Sequence, residues 1–205
     1  MPSQHFNKLK IDRKNSIIKA LTRQFATLDY AEISVRDISE CAGISRGSFY
    51  LYFQDKQDAF LTVVDAYRNR IEQDLLNIYE KAGNIEEIVM EIFDYFTHLS
   101  AFEHSLLEKI SNNLSIEVQD ILGRMFDQFG LTITEHIENK LKSKNIEITP
   151  ELSEQLNLRR EILFGLLVAS LLELSLRKKS LDELRDELRK KTKIVISCPF
   201  ENLIS

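Results

Sequence analysis

The chain has 205 residues and a hydrophobic content of 43%, enough to bury one or two small cores. Only six glycines and three prolines interrupt long stretches rich in Leu, Ile, Glu, Lys and Arg, which favours an all-helical protein. Two distant cysteines at no metal or redox spacing, and a polar start with no apolar signal segment, predict a cytoplasmic protein with reduced thiols.

Charge is divided unevenly along the chain. The formal net charge is −5, which by itself argues against a protein that binds nucleic acid. Residues 1–60 nevertheless hold nine Lys and Arg against seven Asp and Glu, a net of +2, so the remainder carries −7. A basic head on an acidic body suits a protein that binds phosphates with one end only.

The first elements are an arm and a helix. Residues 1–8 show no periodicity, and the pattern favours a loose N-terminal arm. Residues 10–28 then place Ile17, Leu21 and Phe25 at helical spacing, which predicts an amphipathic helix.

The segment Ser34–Lys56 carries the strongest local signals. Ser34 is a good N-cap, and Asp37 three residues later completes an acidic capping box. Gly43 permits the left-handed backbone of a sharp corner, and Ser45 caps a second short helix. A helix, a glycine turn and a second helix together form the layout of a helix-turn-helix, whose second helix enters the DNA major groove.

This segment resembles the DNA-binding domain of the TetR family of bacterial transcriptional regulators, whose signature is similar to T-V-x-x-I-A-x-x-A-G-V-S-x-G-x-x-Y-x-Y-F-x-x-K. The matching positions are Ser34-Val35, Ile38-Ser39, Ala42-Gly43-Ile44-Ser45, Gly47, Tyr50, Tyr52-Phe53 and Lys56. The resemblance covers about residues 10–60. It implies a homodimeric repressor that binds a palindromic operator on double-stranded DNA and is released by a small ligand.

Two positions depart from the family pattern. Relatives usually have a glycine after the first helix, where this chain has Asp29. Asp tolerates the left-handed conformation, so we expect the turn to form. Leu51 replaces a polar or aromatic residue and cannot donate a hydrogen bond, although it can contact a thymine methyl group.

Nine residues are candidates for DNA contact. Arg46 and Ser48 face outward on the second helix, where Arg46 can pair with guanine O6 and N7 or bind a phosphate. Gly47 lets the helix backbone approach DNA, and Lys56 lies at a helix start that favours phosphate. The family resemblance implies that Ser34, Ser45, Tyr50, Tyr52 and Lys56 mainly contact the DNA backbone. The alternative is that either tyrosine belongs to the core, Lys56 is a solvated lysine and Ser45 is only a cap. The full set is Ser34, Arg36, Ser45, Arg46, Gly47, Ser48, Tyr50, Tyr52 and Lys56.

The remaining sequence predicts a helical body. A long helix over 56–81 would link the head to helices over 85–99, 103–112, 116–143 and 151–178, followed by a last helix that opens at Ser180. About nine helices result, divided into a DNA-binding domain of residues 1–55 and a regulatory and dimerisation domain of residues 56–205.

The helix over 151–178 is the most apolar element. Residues 162–172 carry no charge, yet such a stretch is too short to span a bilayer, so no membrane segment is predicted. With the last helix it could form a four-helix bundle with a second subunit, or it could be the core of a monomer. The predicted dimer contacts are Leu163, Leu166, Leu167, Ser170, Leu184 and Leu188.

The resemblance also implies a ligand pocket in the body. Aromatic residues that could line it for an apolar or aromatic ligand are Phe93, Phe96, Phe102, Phe126, Phe129 and Phe164. The alternative is that these rings are ordinary core, and that the body senses a protein partner. No catalytic or cofactor motif occurs, so neither an enzyme nor a bound cofactor is predicted. Asp94 and His98 share a helix face without a third ligand, so no metal site is predicted.

Overall fold

A computed structural model describes residues 2–143, 145–176 and 179–197, and for residues 122, 124–129, 131–133, 135–137, 140 and 175 it describes the backbone alone. All regular structure in these ranges is helical, which confirms the predicted all-α fold. The helices are α1 (Gln4–Asn7), α2 (Ile11–Thr27), α3 (Val35–Cys41), α4 (Arg46–Tyr52), α5 (Lys56–Lys81), α6 (Ile85–Thr97), α7 (Ala101–Ser111), α8 (Ile116–Ser143), α9 (Pro150–Ser175) and α10 (Leu181–Ser197).

Side-chain caps explain where several helices begin. The predicted capping box of α3 is present, because Ser34 Oγ accepts from the Asp37 N–H and the Ser34 N–H donates to Asp37 Oδ2. Thr149 caps α9 with Pro150 in its first turn, as predicted. Each cap satisfies one of the backbone N–H groups that a helix start leaves without a partner.

The described residues divide into two compact units. The first comprises residues up to Glu72 together with Leu99–Met125, and the second comprises Gln73–His98 together with the described residues from Phe126 onward. Helix α7 therefore belongs to the same unit as α2, α3 and α4. The domain boundary proposed after residue 55 stays a prediction, since compactness does not establish independent folding.

The core of the first unit is made of aromatic and aliphatic side chains from five segments. Their exposed fractions are 0–2%, and they are Phe6, Ile17, Leu21, Phe25, Ile33, Ile38, Phe49 and Phe53. Burying such side chains supplies about 1.5–3 kcal/mol each, which holds the short helices α3 and α4 in place.

The loose arm expected over residues 1–8 is wrong. Residues 4–7 form α1, and Phe6 is fully buried, with its ring centroid 4.9 Å from that of Phe53. The Ser3 N–H donates to the Tyr52 carbonyl at 2.8 Å, and Ser3 Oγ donates to the Leu51 carbonyl at 2.6 Å. The segment is ordered because it fills the core and satisfies the last carbonyls of α4.

The turn expected at Asp29 forms, but Asp29 does not adopt the left-handed conformation. In the part of the chain that the structure describes, only Gly43 and Asn145 have positive φ. Helix α2 instead ends on an extended Leu28, and the Asp29 carbonyl accepts from the Glu32 N–H at 2.9 Å. The turn therefore needs no glycine.

Asp29 has another role, because its carboxylate forms an ion pair with Lys109 on α7. The hydrogen bond to Asp29 raises the pKa of Lys109. One turn earlier on α7, Ser105 Oγ donates to the Ala26 carbonyl at 2.6 Å. These two contacts fix α7 against the C-terminal end of α2.

In the second unit, α6, α9 and α10 pack together. Arg185 of α10 donates to both carboxylate oxygens of Asp94 of α6, at 2.8 and 2.7 Å. This bidentate pair is the main reason that the pKa of Asp94 lies below its usual value. The Asp94 carboxylate thus joins α6 to α10, while His98 Nδ1 lies 2.8 Å from the Asp94 backbone carbonyl and not from the carboxylate.

The predicted dimer residues lie mostly inside the second unit. Five have exposed fractions of 0–7% in the single chain, Leu163, Leu167, Ser170, Leu184 and Leu188, and Leu166 is half-buried. Within one chain, α9 and α10 pack against each other and against α6, and these contacts account for the burial. Their role in a dimer stays a prediction.

Membrane insertion has no support among the described helices. None of them is long and apolar enough to cross a bilayer.

Replacement of Phe6 by Ala tests the ordered N-terminus. We expect Phe6→Ala to lower the free energy of unfolding by about 3 kcal/mol, because a fully buried ring leaves a cavity. Urea denaturation followed by circular dichroism measures the change. His5→Ala, one residue away and exposed, is the matched control and should be nearly neutral. If the two variants had equal free energies of unfolding, Phe6 would not be buried and residues 1–8 would form the loose arm.

Candidate nucleic-acid interface

The turn between α3 and α4 has a defined geometry. Gly43 has φ +59, a left-handed backbone that a residue with Cβ adopts only with strain. The Gly43 carbonyl accepts from Arg13 Nη2 at 2.9 Å, which ties the start of α2 to the turn. Ser45 then caps α4 by accepting from the Ser48 N–H at 3.0 Å.

Helix α4 has a buried side and an exposed side. Phe49 points into the core, and Phe53 directly after the helix does the same. Arg46 and Gly47 are exposed on the outer side, together with Tyr50 at 51% and Leu51 at 47%. The outer side thus presents the guanidinium of Arg46, the phenol of Tyr50 and the isobutyl group of Leu51, and at Gly47 the backbone is not covered by a side chain.

Arg46 is an exposed cation of this surface. Its guanidinium carbon lies 6.0 Å from the centroid of the Tyr50 ring, and no described carboxylate forms an ion pair with it. An arginine presented in this way can bind a phosphate or pair with guanine through two donors.

Arg36 of α3 differs from Arg46 because its charge is already paired. Its Nε donates to Glu40 at 2.8 Å, and this hydrogen bond raises the pKa of Arg36. Both side chains are exposed, so the pair is worth little and can open when a phosphate approaches.

Three predicted serines are engaged in caps. Ser45 and Ser48 share a hydroxyl–hydroxyl hydrogen bond of 2.9 Å at the start of α4. Ser34 Oγ donates to Asp37 Oδ2 at 2.5 Å, and this bond is the main reason that the pKa of Asp37 is lowered. Each hydroxyl still has acceptor or donor capacity, but its first function is to set a helix start.

Lys56 is the predicted phosphate anchor whose surroundings differ most from expectation. Its Nζ donates to the carbonyls of Tyr30 and Ile33, at 2.7 and 2.9 Å, and lies 4.2 Å from the centroid of the Tyr30 ring. An ammonium has three donors, so one remains for DNA. Lys56 therefore links α5 to the loop before α3 whether or not DNA is bound.

Tyr52 is half-buried, and its ring centroid lies 5.9 Å from that of Phe6. Tyr50 is exposed, so the two predicted tyrosines differ: Tyr50 belongs to the outer surface and Tyr52 to the edge of the core. DNA contact by all nine residues stays a prediction.

Two contributors to this surface were missed from the sequence. Ser3 anchors the end of α4, and Arg13 binds the turn. A serine three residues before an apolar Phe6 was an available signal for the first, since it is the pattern of a helix start. Nothing local marks Arg13, whose partner lies thirty residues away in sequence.

The predicted pocket residues are distributed over both units. Phe93 is buried in the second unit, where Phe96 is half-buried and Phe164 is exposed. Phe102 is exposed in the first unit, and the side chains of Phe126 and Phe129 lie outside the described residues. The role of this set in ligand binding stays a prediction.

The head matches a known family. Residues 17–63, which include α3, α4 and the start of α5, match the family model described as bacterial regulatory proteins, tetR family. The chain is 38% identical over 69 residues to the HTH-type transcriptional regulator EthR of Mycolicibacterium smegmatis, a match over 34% of this chain and 32% of that protein. The chain thus spans about a third of the length of that relative.

Similarity also extends beyond the head. The Fatty acid metabolism regulator protein of Bacillus subtilis is 28% identical over 169 residues, which cover 77% of this chain and 81% of that protein. The crystal structure of the regulator FadR from the same species, in complex with stearoyl-CoA, superposes with a TM-score of 0.59 at 18% identity, over 89% and 97% of the two chains. A TetR-family structure from Mesorhizobium loti gives 0.65 at 21% identity, over 91% and 96%.

Replacement of Lys56 by Ala tests its structural contacts. We expect Lys56→Ala to destabilise the free protein by about 2 kcal/mol, since two charge-assisted hydrogen bonds to carbonyls are lost. Urea denaturation without DNA measures this effect. Lys19→Ala, at an exposed position of α2, is the control; if both variants were equally stable, Lys56 would be a surface lysine.

Proposed function

Because the chain belongs to the TetR family of bacterial transcriptional regulators, we propose that this DNA-binding regulator is a homodimeric repressor of the bacterial cytoplasm, and not an enzyme. It binds a palindromic operator and is released by a small ligand. The main support for DNA binding is the outer side of α4, which is exposed while its other side packs on a buried aromatic core. The exposed residues are Arg46, Gly47, Tyr50 and Leu51.

In the proposed complex, some residues contact bases and others contact phosphates. Arg46 and Ser48 enter the major groove, Leu51 contacts a thymine methyl group, and the exposed Tyr50 contacts the DNA backbone. The caps at Ser34 and Ser45, with the remaining donor of Lys56, bind phosphates and set the register. Two heads placed about 34–36 Å apart would reach successive major grooves on one face of the duplex.

The proposed dimer uses the exposed side of α9. Gly165, Ala169, Leu172 and Leu176 are exposed at spacings of three and four residues, Leu176 at 63%, and Ile194 of α10 is exposed at 66%. Small residues among apolar ones let a second helix approach closely. The dimer contact thus involves neighbours of the predicted residues, which are themselves buried within one chain.

The proposed effector is a small molecule with a substantial apolar part. Support comes from the relative named as a fatty acid metabolism regulator and from the FadR structure that holds stearoyl-CoA. Such a ligand can release DNA only if it binds one conformation of the protein more tightly than another. Helices α5 and α8 each contribute residues to both compact units, so either can carry a change between them.

A protein partner is the second candidate for the sensed signal. Ile116 is 83% exposed, and Leu114 and Phe102 nearby in sequence are also exposed. Exposed apolar residues are typical of protein-binding surfaces. Binding of a small molecule to the purified chain would favour the first candidate over this one.

Replacement of Arg46 tests the proposed reader without disturbing the fold. We expect Arg46→Ala to lower affinity for an operator selected from random DNA by about 1–3 kcal/mol and to relax base preference. Fluorescence anisotropy over a range of salt concentrations measures both effects. Arg23→Ala removes the same charge at an exposed position of α2 and is the control. If both variants lost the same affinity for the operator, Arg46 would contribute only non-specific electrostatic attraction.

Replacement of Ala169 tests the proposed dimer face. We expect Ala169→Glu to convert the dimer to a monomer, since two buried carboxylates would face each other across the axis. Sedimentation velocity measures the molecular mass. Ala101→Glu places the same charge at an exposed position of α7 and should leave the dimer intact. A dimeric Ala169→Glu variant would contradict this interface.

A further inference from the structure

We propose that Arg160, held across Gly130 in the second unit, binds the anionic group of the effector, a carboxylate or a phosphate. The inference rests on the proposed function, in which the body binds a small ligand. It adds a chemical requirement that an apolar pocket alone does not impose, namely an acidic head on that ligand.

Arg160 has a defined position between two helices. Its Nη1 donates to Thr134 Oγ1 of α8 at 3.0 Å, and Thr134 Oγ1 in turn donates to Asn157 Oδ1 of α9 at 3.1 Å. The guanidinium is thereby oriented by a neutral hydroxyl that belongs to a facing helix. Orientation by a second residue is what a binding arginine needs, since its planar donors must meet the ligand in a fixed plane.

The guanidinium has donors to spare. Five N–H groups are available on an arginine, and the side chains that the structure describes accept only the bond to Thr134. The Asn157 amide adds two further donors next to the same hydroxyl. Arg160 is half-buried, and a charge that no described carboxylate balances is costly there.

One described acid of α8 is occupied elsewhere. Glu138, one turn along α8 from Thr134, accepts from Ser153 Oγ at 3.2 Å and lies 3.9 Å from Lys142. No carboxylate in the described portion of the chain forms an ion pair with Arg160. An anion from outside the chain would balance the charge.

Gly130 makes room for this arrangement. A Cβ added at Gly130 would lie 2.8 Å from Arg160 Nη1 and 3.0 Å from Cζ, so the guanidinium lies directly on the glycine backbone. Glycine inside a helix costs about 1 kcal/mol relative to alanine. The guanidinium of Arg160 lies in the space that the absent side chain of Gly130 leaves in the middle of α8.

The position of Arg160 also indicates the shape of the ligand. Residues 162–172, which follow it on α9, carry no charge. A cation at the edge of an uncharged stretch suits an amphiphile with an acidic head and an apolar tail. A free fatty acid supplies a carboxylate, and an acyl thioester of coenzyme A supplies phosphates.

Isothermal titration calorimetry on the full chain without DNA tests the proposal. The probes are palmitate, palmitoyl-CoA and the neutral hexadecanol, so the carboxylate and phosphate sources give separate results. We expect at least one anionic probe to bind more tightly than hexadecanol. Arg160→Gln should weaken that binding about tenfold or more, because charge-assisted hydrogen bonds are lost, and Arg160→Lys should restore part of it.

Two further variants separate a binding arginine from a structural one. Gly130→Ala keeps every charge but places a methyl group against the guanidinium, and it should weaken binding of the anionic probe as Arg160→Gln does. Arg159→Gln removes the same charge one residue away and should change affinity by less than about threefold. Circular dichroism and thermal unfolding of each variant confirm that it is folded.

The outcomes are distinct from those of the proposed function. Operator binding by the wild type is measured in parallel, and its absence would contradict the proposed function alone. If the wild type binds operator, the anion site is overturned by any of three results: no anionic probe binds, Arg160→Gln binds as tightly as the wild type, or Arg159→Gln loses as much as Arg160→Gln.

Discussion

The burial of Phe49 and Phe53 is the constraint on which the DNA-binding surface depends. Helix α4 has seven residues, which is well below the length at which an isolated helix is stable in water. Its conformation is therefore imposed from outside, by the aromatic core beneath it, by the Ser45 cap at its start and by Ser3 at its end. Once the two phenylalanines are fixed inward, helical geometry leaves Arg46, Gly47 and Tyr50 facing solvent.

The same residues stabilise the fold and face the proposed DNA. Lys56 donates to two carbonyls, Arg36 is paired with Glu40, and the hydroxyl of Ser34 is bonded to Asp37. These contacts hold side chains in place before DNA arrives, which lowers the entropy lost on binding. They also mean that a loss of DNA affinity in a variant must be separated from a loss of stability. Arg46 is the residue where this separation is cleanest.

Local signals made the helix-turn-helix predictable from the sequence. Caps, a glycine corner and apolar spacing all act within a few residues, and the structure retains each of them. The bounds predicted for α5 and α8 agree with the structure for the same reason. The arm was misread because the partners of Phe6 lie more than forty residues away, and a single buried ring leaves no periodic pattern.

Contacts in the helical body were harder to predict from the sequence. The apolar character of Leu184 and Leu188 was evident, but a sequence does not tell whether an apolar face meets its own chain or a second copy. Arg160 carries the same difficulty, because its neighbours Gly130 and Thr134 lie on a separate helix. Asp29 is another such case, because its ion-pair partner Lys109 lies on a helix distant in sequence.

The most direct test of the central claim is selection of binding sites from a random DNA pool by the purified full-length protein, followed by sequencing. The account predicts enrichment of a palindromic consensus whose half-site centres are about one helical turn apart. Enrichment of no sequence, or of a single half-site without symmetry, would contradict the proposed dimeric reader.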